Sequence, residues 1–269
     1  MNDAEFALLT QAYEESQEPI LAFFRRLTTW QADQRAGTTL PIAPPVGVTR
    51  LARRETPLLS FADLALDATA FARQLHEVAA LWEAIDPGAA SELDGLTAAD
   101  LRHAAQAWFT TGISEAGPTV DALLANALAP RLEAAAEALQ PYVPRHLWTI
   151  AACPICGGWP DMAHWRAAGE TPLICERCHS TWEAALQGCY VCGEIDPELR
   201  GLFVSEDERY VVEVCDQCGS YLKGLADAAV VEGDDPLLAA ERLITPGLDL
   251  LAIQEGYDRP NGVARSPRV

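Results

Sequence analysis

The chemistry that this sequence suggests lies in its cysteines. All eight belong to Cys-x-x-Cys pairs, and none is left over. Two residues between cysteines let one tight turn direct both sulfur atoms at a point, so two such turns complete a tetrahedral four-sulfur site. Eight cysteines therefore predict two metal ions. The predicted ligands are Cys153, Cys156, Cys175, Cys178, Cys189, Cys192, Cys215 and Cys218.

The spacing of the pairs predicts how they group. Eighteen residues separate the first pair from the second, twenty-two separate the third from the fourth, and ten join the two halves. Each long gap can hold a short hairpin, so we expect pairs one and two to share one metal and pairs three and four the other. In the cross-braced alternative, pairs one and three share a metal. Four thiolates suit zinc or a single iron, and the ligand set alone leaves that choice open.

The residue after each pair should shape the turn. Glycine follows three of the pairs, as Gly157, Gly193 and Gly219, and His179 follows the remaining one. A positive φ at these glycines would direct backbone N–H groups toward the sulfur atoms and stabilise thiolate charge. With four thiolates already available, we expect no ligand role for His179.

Other uses of paired cysteines fit less well. Structural disulfides need an oxidising compartment, a thioredoxin-type site needs one pair in a βαβ context, and ferredoxin clusters use a closer spacing. The chain also contains no nucleophile elbow and no glycine-rich phosphate loop. We therefore expect a binding protein rather than an enzyme and assign no catalytic residues.

The elements that position the cysteines follow from periodicity and capping. Residues 1 to about 140 contain no cysteine and read as a bundle of five or six helices. A first helix is predicted over 4–33, with a break or kink at Pro19. Asp67 should cap a second, and Thr97 with Asp100 has capping-box spacing for a third. Thr119 to Leu139 predicts a further helix, bent or split at Pro130.

These elements give an α+β, multidomain fold. We predict an all-helical domain over residues 1–143, a first four-cysteine module over 144–186, and a second four-cysteine module over 187–269. Residues 37–61 predict a long irregular connection, and 140–145 a proline-containing linker.

Composition limits the partners. The 269 residues carry a formal charge of -20, which repels nucleic-acid phosphates and argues against a zinc-ribbon nucleic-acid binder. No apolar run reaches the roughly 20 residues of a membrane-spanning helix. The N-terminus lacks the cationic start of a secretory signal, so we expect a cytoplasmic protein.

The flanks of the cysteine pairs resemble a known family, the formate dehydrogenase accessory proteins, also called FdhE. The resemblance extends through the stretch from Leu248 to Tyr257 and, more weakly, to Pro57-Leu-Leu59 and the helix after Asp67. The matching cysteine stretches are Cys153-Pro-Ile-Cys-Gly157, Cys175-Glu-Arg-Cys-His-Ser-Thr-Trp182, Cys189-Tyr-Val-Cys-Gly193 and Cys215-Asp-Gln-Cys-Gly-Ser-Tyr-Leu-Lys223.

This resemblance implies a helical bundle followed by two tandem rubredoxin-like or zinc-ribbon-like metal modules, over 144–186 and 187–269, with a C-terminal helix after the second. It favours iron over zinc. It also implies a cytoplasmic assembly role, in which the protein binds the catalytic subunit of a molybdenum or tungsten formate dehydrogenase and supports its maturation. A rubredoxin-like electron-transfer protein is the alternative. Trp159, Trp165 and Trp182 are candidate contacts for a partner, although packing over the cysteine turns is the more favoured role for each.

Overall fold

The chain folds into a helical half and a six-stranded sheet. In the computed structural model, the described residues are 18–42, 57–143, 148, 150–166, 171–184, 187–226, 241–242 and 244–260. None of the helices in these ranges combines the length and the apolar character that a membrane crossing requires. The α+β fold class predicted from the sequence is confirmed.

Four α-helices form the described part of the helical half, together with three short 3-10 helices, two between the α-helices and one after the last. The α-helices are α1 (Glu18–Ala36), α2 (Ala68–Trp82), α3 (Ala98–Thr111) and α4 (Pro118–Leu139). The 3-10 helices are Phe61–Leu64, Ser91–Leu93 and Gln140–Tyr142.

Both predicted caps are present. The Asp67 carboxylate accepts a hydrogen bond from the Ala70 amide at 2.8 Å, and Thr97 with Asp100 forms a capping box at the start of α3. Gly112, in a left-handed conformation with φ 90°, ends α3. Local sequence therefore sets these helix boundaries.

The two prolines differ in their positions within their helices, and the break or kink predicted at Pro19 stays a prediction. Pro19 lies in the first turn of α1, where a missing amide costs little. Pro130 lies inside α4, which continues to Leu139, so of the two predicted outcomes the split is wrong and the bend stays a prediction. Pro130 cannot donate to the Asn126 carbonyl four residues earlier, and the Gln31 side-chain amide donates to that oxygen instead, at 3.3 Å. Residues 1–17 of the predicted first helix lie outside the described residues.

The six strands found among the described residues belong to one sheet, in the order β3-β2-β1-β6-β5-β4. Neighbouring strands are antiparallel except β1 and β6, which are parallel. The sheet therefore contains two three-stranded halves that meet along the β1–β6 pair. The strands are β1 (Pro160–Trp165), β2 (Thr171–Cys175), β3 (Thr181–Ala184), β4 (Arg200–Val204), β5 (Tyr210–Cys215) and β6 (Ser220–Ala226).

The junction between β1 and β6 is closely packed. A Cβ atom on Gly224 of β6 would lie 2.6 Å from the Ala163 carbonyl oxygen and 2.6 Å from the Trp165 ring nitrogen. Only glycine leaves room for the Trp165 ring to lie across β6. A C-terminal helix, α5 (Pro246–Gln254), covers part of the half-sheet formed by β4, β5 and β6. There Ala252 packs against Val212 and Val214 of β5. A 3-10 helix, Pro197–Leu199, precedes β4.

Candidate metal centres

The eight cysteines form two compact clusters. Within each, the four sulfur atoms all lie within 4.8 Å of one another. The grouping follows sequence order, as the spacing predicts, and the cross-braced alternative is wrong. The first cluster is Cys153, Cys156, Cys175 and Cys178, and the second is Cys189, Cys192, Cys215 and Cys218.

Sulfur separations match what a tetrahedral ion requires. In the first cluster Cys153 and Cys178 are 3.6 Å apart and Cys156 and Cys175 are 3.4 Å apart, measured between Sγ atoms. The corresponding pairs of the second cluster are separated by 3.6 and 3.7 Å. An ion bound at about 2.3 Å to each of four tetrahedral sulfurs holds them about 3.8 Å apart. A disulfide needs about 2.05 Å, and all eight thiols are free.

Each Cys-x-x-Cys pair adopts the same turn. The residue after the pair donates its amide to the carbonyl of the first cysteine, at 2.8 to 3.2 Å in all four cases. That residue has a positive φ in every turn, as predicted for the three glycines and also at His179, with φ 55°. The amides of Arg177 and Val191 point at the sulfur atoms of Cys175 and Cys189, each at 3.4 Å.

A serine hydroxyl lies within hydrogen-bond distance of the sulfur atoms in each cluster. The sequence analysis missed this feature. Ser180 lies 3.1 Å from the Cys178 sulfur and 3.2 Å from the Cys153 sulfur. Ser220 occupies the same place in the second cluster, 2.8 Å from the sulfur of Cys218. Both serines stand two residues after the last cysteine of their cluster, and this repeated spacing was the available signal.

Burial opposes ionisation of the thiols in the first cluster. Burial raises the pKa of Cys175 and Cys178 well above that of an ordinary thiol, and the nearby Cys153 raises both further. Burial opposes ionisation of Cys153 as well, but hydrogen bonds from the other three thiols hold its pKa well below the usual value. Burial therefore opposes ionisation of these thiols, and a bound divalent ion would supply the positive charge that stabilises thiolates.

The helical half encloses the first cluster. All four of its cysteines belong to the same hydrophobic core as α2, α3 and α4. The amides of Leu58 and Leu59 donate to the carbonyls of Pro154 and Ile155 in the first turn, at 3.0 and 2.8 Å. The Pro57-Leu-Leu59 stretch is thus a direct support of the first cluster.

The second turn of this cluster docks on α3 through Arg177. Its guanidinium carbon lies 4.7 Å from the centre of the Trp108 ring, and one of its N–H groups donates to the Phe109 carbonyl at 3.0 Å. The Gln140 side chain, just beyond α4, donates to the Thr181 carbonyl at 2.9 Å. These contacts fix the first half-sheet against the helices.

The second cluster lies at the surface. Cys192 and Cys218 are exposed, whereas Cys189 and Cys215 are buried. Ile195, three residues beyond Cys192, is 70% exposed. An ion in this cluster would lie close to solvent on the side of Cys192 and Cys218.

Next to the first cluster, His179 joins three separate parts of the chain. Its Nδ1 lies 2.8 Å from a Glu133 carboxylate oxygen on α4, and its Nε2 lies 2.8 Å from the Arg242 guanidinium. Because a guanidinium can only donate, Nε2 accepts and Nδ1 carries the proton. Burial lowers the pKa of His179, and Arg242 lowers it further. These residues lie on one side of a cleft of about 530 Å³ between the helices and the second cysteine turn.

Buried charges also hold the junction of the two half-sheets. Asp161 of β1 forms ion pairs with Arg242, at 2.7 Å, and with Arg259. Although burial alone would raise the pKa of Asp161, Arg259 and Arg242 hold it well below its usual value. On β6, the Lys223 ammonium donates to Asp249 at 2.7 Å. The C-terminal segment is thereby tied to both half-sheets.

The three tryptophans that the sequence suggests as partner contacts are buried or half-buried in the protein. Trp159 and Trp182 are each 6% exposed and pack in the interior. Trp165 is half-buried, packs against the main core and lines a groove on the sheet. Trp159 and Trp182 therefore have the packing role that we favoured for them. Of the three, Trp165 is the one that lines a surface groove.

Comparison with known proteins identifies this arrangement. The crystal structure of the FdhE protein from Pseudomonas aeruginosa superposes with a TM-score of 0.69, covering 98% of this chain and 95% of that one. The chain has the FdhE fold. The two sequences are 20% identical. No protein-family profile matches the chain, and no curated protein sequence matches it. Because the FdhE match covers nearly the whole chain, it includes the helical half as well as both cysteine clusters.

Proposed function

We propose that this protein is a cytoplasmic accessory protein for a molybdenum or tungsten formate dehydrogenase. In this role it binds the catalytic subunit and supports its maturation, and it is not itself an enzyme. The eight cysteines bind two metal ions, iron in preference to zinc, and the two metal modules form the rigid platform on which the client docks.

The observation that carries this proposal is the combination of the FdhE fold with two tetrahedral sulfur clusters on one sheet. Both clusters have the separations and the amide donors that suit a metal–thiolate site. The β1–β6 pair joins the two half-sheets, so the platform is continuous. A net charge of -20 suits a protein partner better than a nucleic acid.

The test is capture of the client by the full chain. The tagged protein, purified without oxygen from cells that also produce a formate dehydrogenase catalytic subunit, should retain that subunit. A variant with serine in place of Cys215 should retain much less. Failure of the wild-type protein to retain the subunit under these conditions would refute the proposal. Elemental analysis of the same preparation should find two metal ions per chain.

A rubredoxin-like electron-transfer protein is the second candidate, and the exposure of Cys192 and Cys218 favours it. Electron exchange requires a redox centre close to the surface, which the second cluster would provide. Potentiometric titration of the iron-loaded protein separates the two functions. A reversible one-electron couple that Cys218→Ser abolishes, in a protein that captures no client, would establish electron transfer instead.

A further inference from the structure

The outer edge of β4 is unpaired. Among the described strands β4 ends the sheet and pairs only with β5. The amide of Asp216 donates to the Leu199 carbonyl at 2.9 Å, and the amide of Ser205 donates to the Tyr210 carbonyl at 3.0 Å. In an antiparallel pair, the backbone N–H and C=O groups of every second residue form hydrogen bonds across the pair. The backbone groups of the residues in between point the other way. The backbone groups that point away from β5 are those of Arg200, Leu202 and Val204.

This edge also carries exposed apolar side chains. Leu202 is 66% exposed and Val204 is 55% exposed. Beside Leu202 the sheet forms a groove of about 470 Å³, whose lining includes Trp165, Val211 and Ala226. Exposed, apolar edge strands are normally blunted by lysine, proline or a covering segment, because they pair readily with other chains. The strand Arg200–Val204 contains neither lysine nor proline, and no other described strand pairs with its outer edge, although the Tyr257 ring packs against Phe203 on one face.

The other half-sheet shows how such an edge is used. β1 and β4 are each the first strand after the opening turn of their cluster, and each lies on the far side of its half-sheet from the last strand. β1 accepts a parallel strand, β6, from Met162 through Trp165. β4 presents the equivalent edge, with no strand on it among the described residues. The opposite end of the sheet, β3, is contacted by Gln140 from the helical half.

Acidic residues flank the β4 edge on both sides. The short stretch before β4 and the turn after it together carry five exposed carboxylates, none of which has an ion-pair partner among the described residues. Arg200 does not offset them because it is paired with Glu213. The five are Asp196, Glu198, Glu206, Asp207 and Glu208.

We propose that the β4 edge binds an extended segment of the client polypeptide as a seventh strand. The segment has alternating apolar side chains, which enter the groove beside Leu202, and arginine or lysine residues at both ends, which meet the acidic flanks. This inference rests on the proposed function for the identity of the client, the formate dehydrogenase catalytic subunit. The apolar edge and its acidic flanks predict an apolar segment with basic ends, whichever client protein supplies it.

A second copy of this chain fits the edge poorly. Antiparallel pairing of two β4 strands would bring the carboxylates before one strand against those after the other. Each copy also has a net charge of -20, so like charges would oppose the association. The occupant is therefore a different chain with basic flanks.

The decisive variant is Val204→Pro, with Val204→Thr as its matched control. Proline removes an amide that points away from β5, so the existing sheet keeps its hydrogen bonds while strand addition is blocked. Threonine keeps the amide and the branched shape. With client capture as the measurement, Val204→Pro should retain at least about tenfold less catalytic subunit than Val204→Thr. Ile113→Thr, at an exposed apolar site on the helical half, should match wild type.

A synthetic peptide tests the edge without the client. The peptide carries alternating valine and threonine between two pairs of arginines, and a second version carries glutamates in place of the arginines. The full, metal-loaded chain should bind the first at least about tenfold more tightly than the second, and Val204→Pro should weaken that binding to a similar degree.

The outcomes separate the two proposals. Client capture by wild type and by Val204→Pro to the same extent would overturn this inference and leave the proposed function standing. Absence of client capture together with β4-dependent peptide binding would overturn the proposed function alone. A wild-type dimer that Val204→Pro converts to a monomer would overturn the inference, since the occupant would then be a second copy.

Discussion

The two cysteine clusters share one local construction and differ in their surroundings. Each has two identical turns, a positive φ after each pair, and a serine two residues beyond the last cysteine. The first cluster lies inside the core that it shares with three helices, whereas half of the second cluster is exposed. The turns therefore determine the geometry of the sulfurs, and the packing around them determines how far solvent and partners reach an ion.

The largest expected difference lies in the folding of variants that lack one sulfur. Cys175→Ser should abolish metal binding in the first cluster and unfold the helical half with it, because structural metal binding contributes on the order of 10 kcal/mol in small domains. Cys218→Ser should lose one metal and leave the helical half folded. Calorimetry with elemental analysis measures both effects. Equal loss of helical structure in the two variants would contradict the prediction that only the first cluster supports the helical half.

A smaller loss of stability is expected at the junction between the half-sheets. Asp161→Asn removes the partner of Arg242 and Arg259 in the interior, which should lower the free energy of unfolding by about 3–5 kcal/mol. Since the folded pKa of Asp161 is lowered, its contribution is present at neutral pH and is lost as the pH falls below about 4. The difference between wild type and variant should therefore shrink in acid.

Chemical denaturation at two pH values measures this effect. Asp207→Asn, in the exposed turn after β4, is the matched control and should unfold like wild type. An unchanged midpoint for Asp161→Asn would show that the buried charges do not hold the two half-sheets together.

The exposed cluster should release its metal sooner. In the fully loaded protein, a chelator should remove the ion held by Cys192 and Cys218 at least about tenfold faster than the buried ion, because no local opening is needed to reach it. Stopped-flow absorbance with a coloured chelator should show two phases of equal amplitude. Cys218→Ser should lack the fast phase, and a single phase in wild type would mean that burial does not control release.

The smallest effect concerns backbone conformation in one turn. Gly219→Ala places a Cβ in open space but at φ +67°, so only conformational strain should lower stability, by about 1 kcal/mol. Gly247, inside α5, also has open space around its Cβ position and lacks a positive φ. Gly247→Ala should be neutral or stabilising. Thermal unfolding of both variants checks the sign of each change.

The sequence was enough to predict features that depend on residues close to one another along the chain. The turns at Gly157 and Gly193 and the caps at Asp67 and Thr97 follow from residues a few positions apart, and the grouping of the cysteines follows from the 18- and 22-residue gaps between the pairs. The metal identity and the domain boundaries remain predictions.

Features that depend on distant residues were not predictable. The Asn126 carbonyl, which Pro130 leaves without an amide donor, accepts a hydrogen bond from Gln31, 95 residues away along the chain. The site around His179 needs Glu133 and Arg242, which no spacing rule connects. The parallel β1–β6 pair and the burial of the first cluster likewise arise only when the two halves pack together.

Lys223 is the sole lysine of the chain, and it is 1% exposed, with its ammonium bonded to Asp249 and to the carbonyls of Arg242 and Thr245. The native protein therefore offers amine-directed reagents no accessible side chain. Acylation of Lys223, followed by mass spectrometry over time, would report how often the C-terminal segment lifts from the sheet.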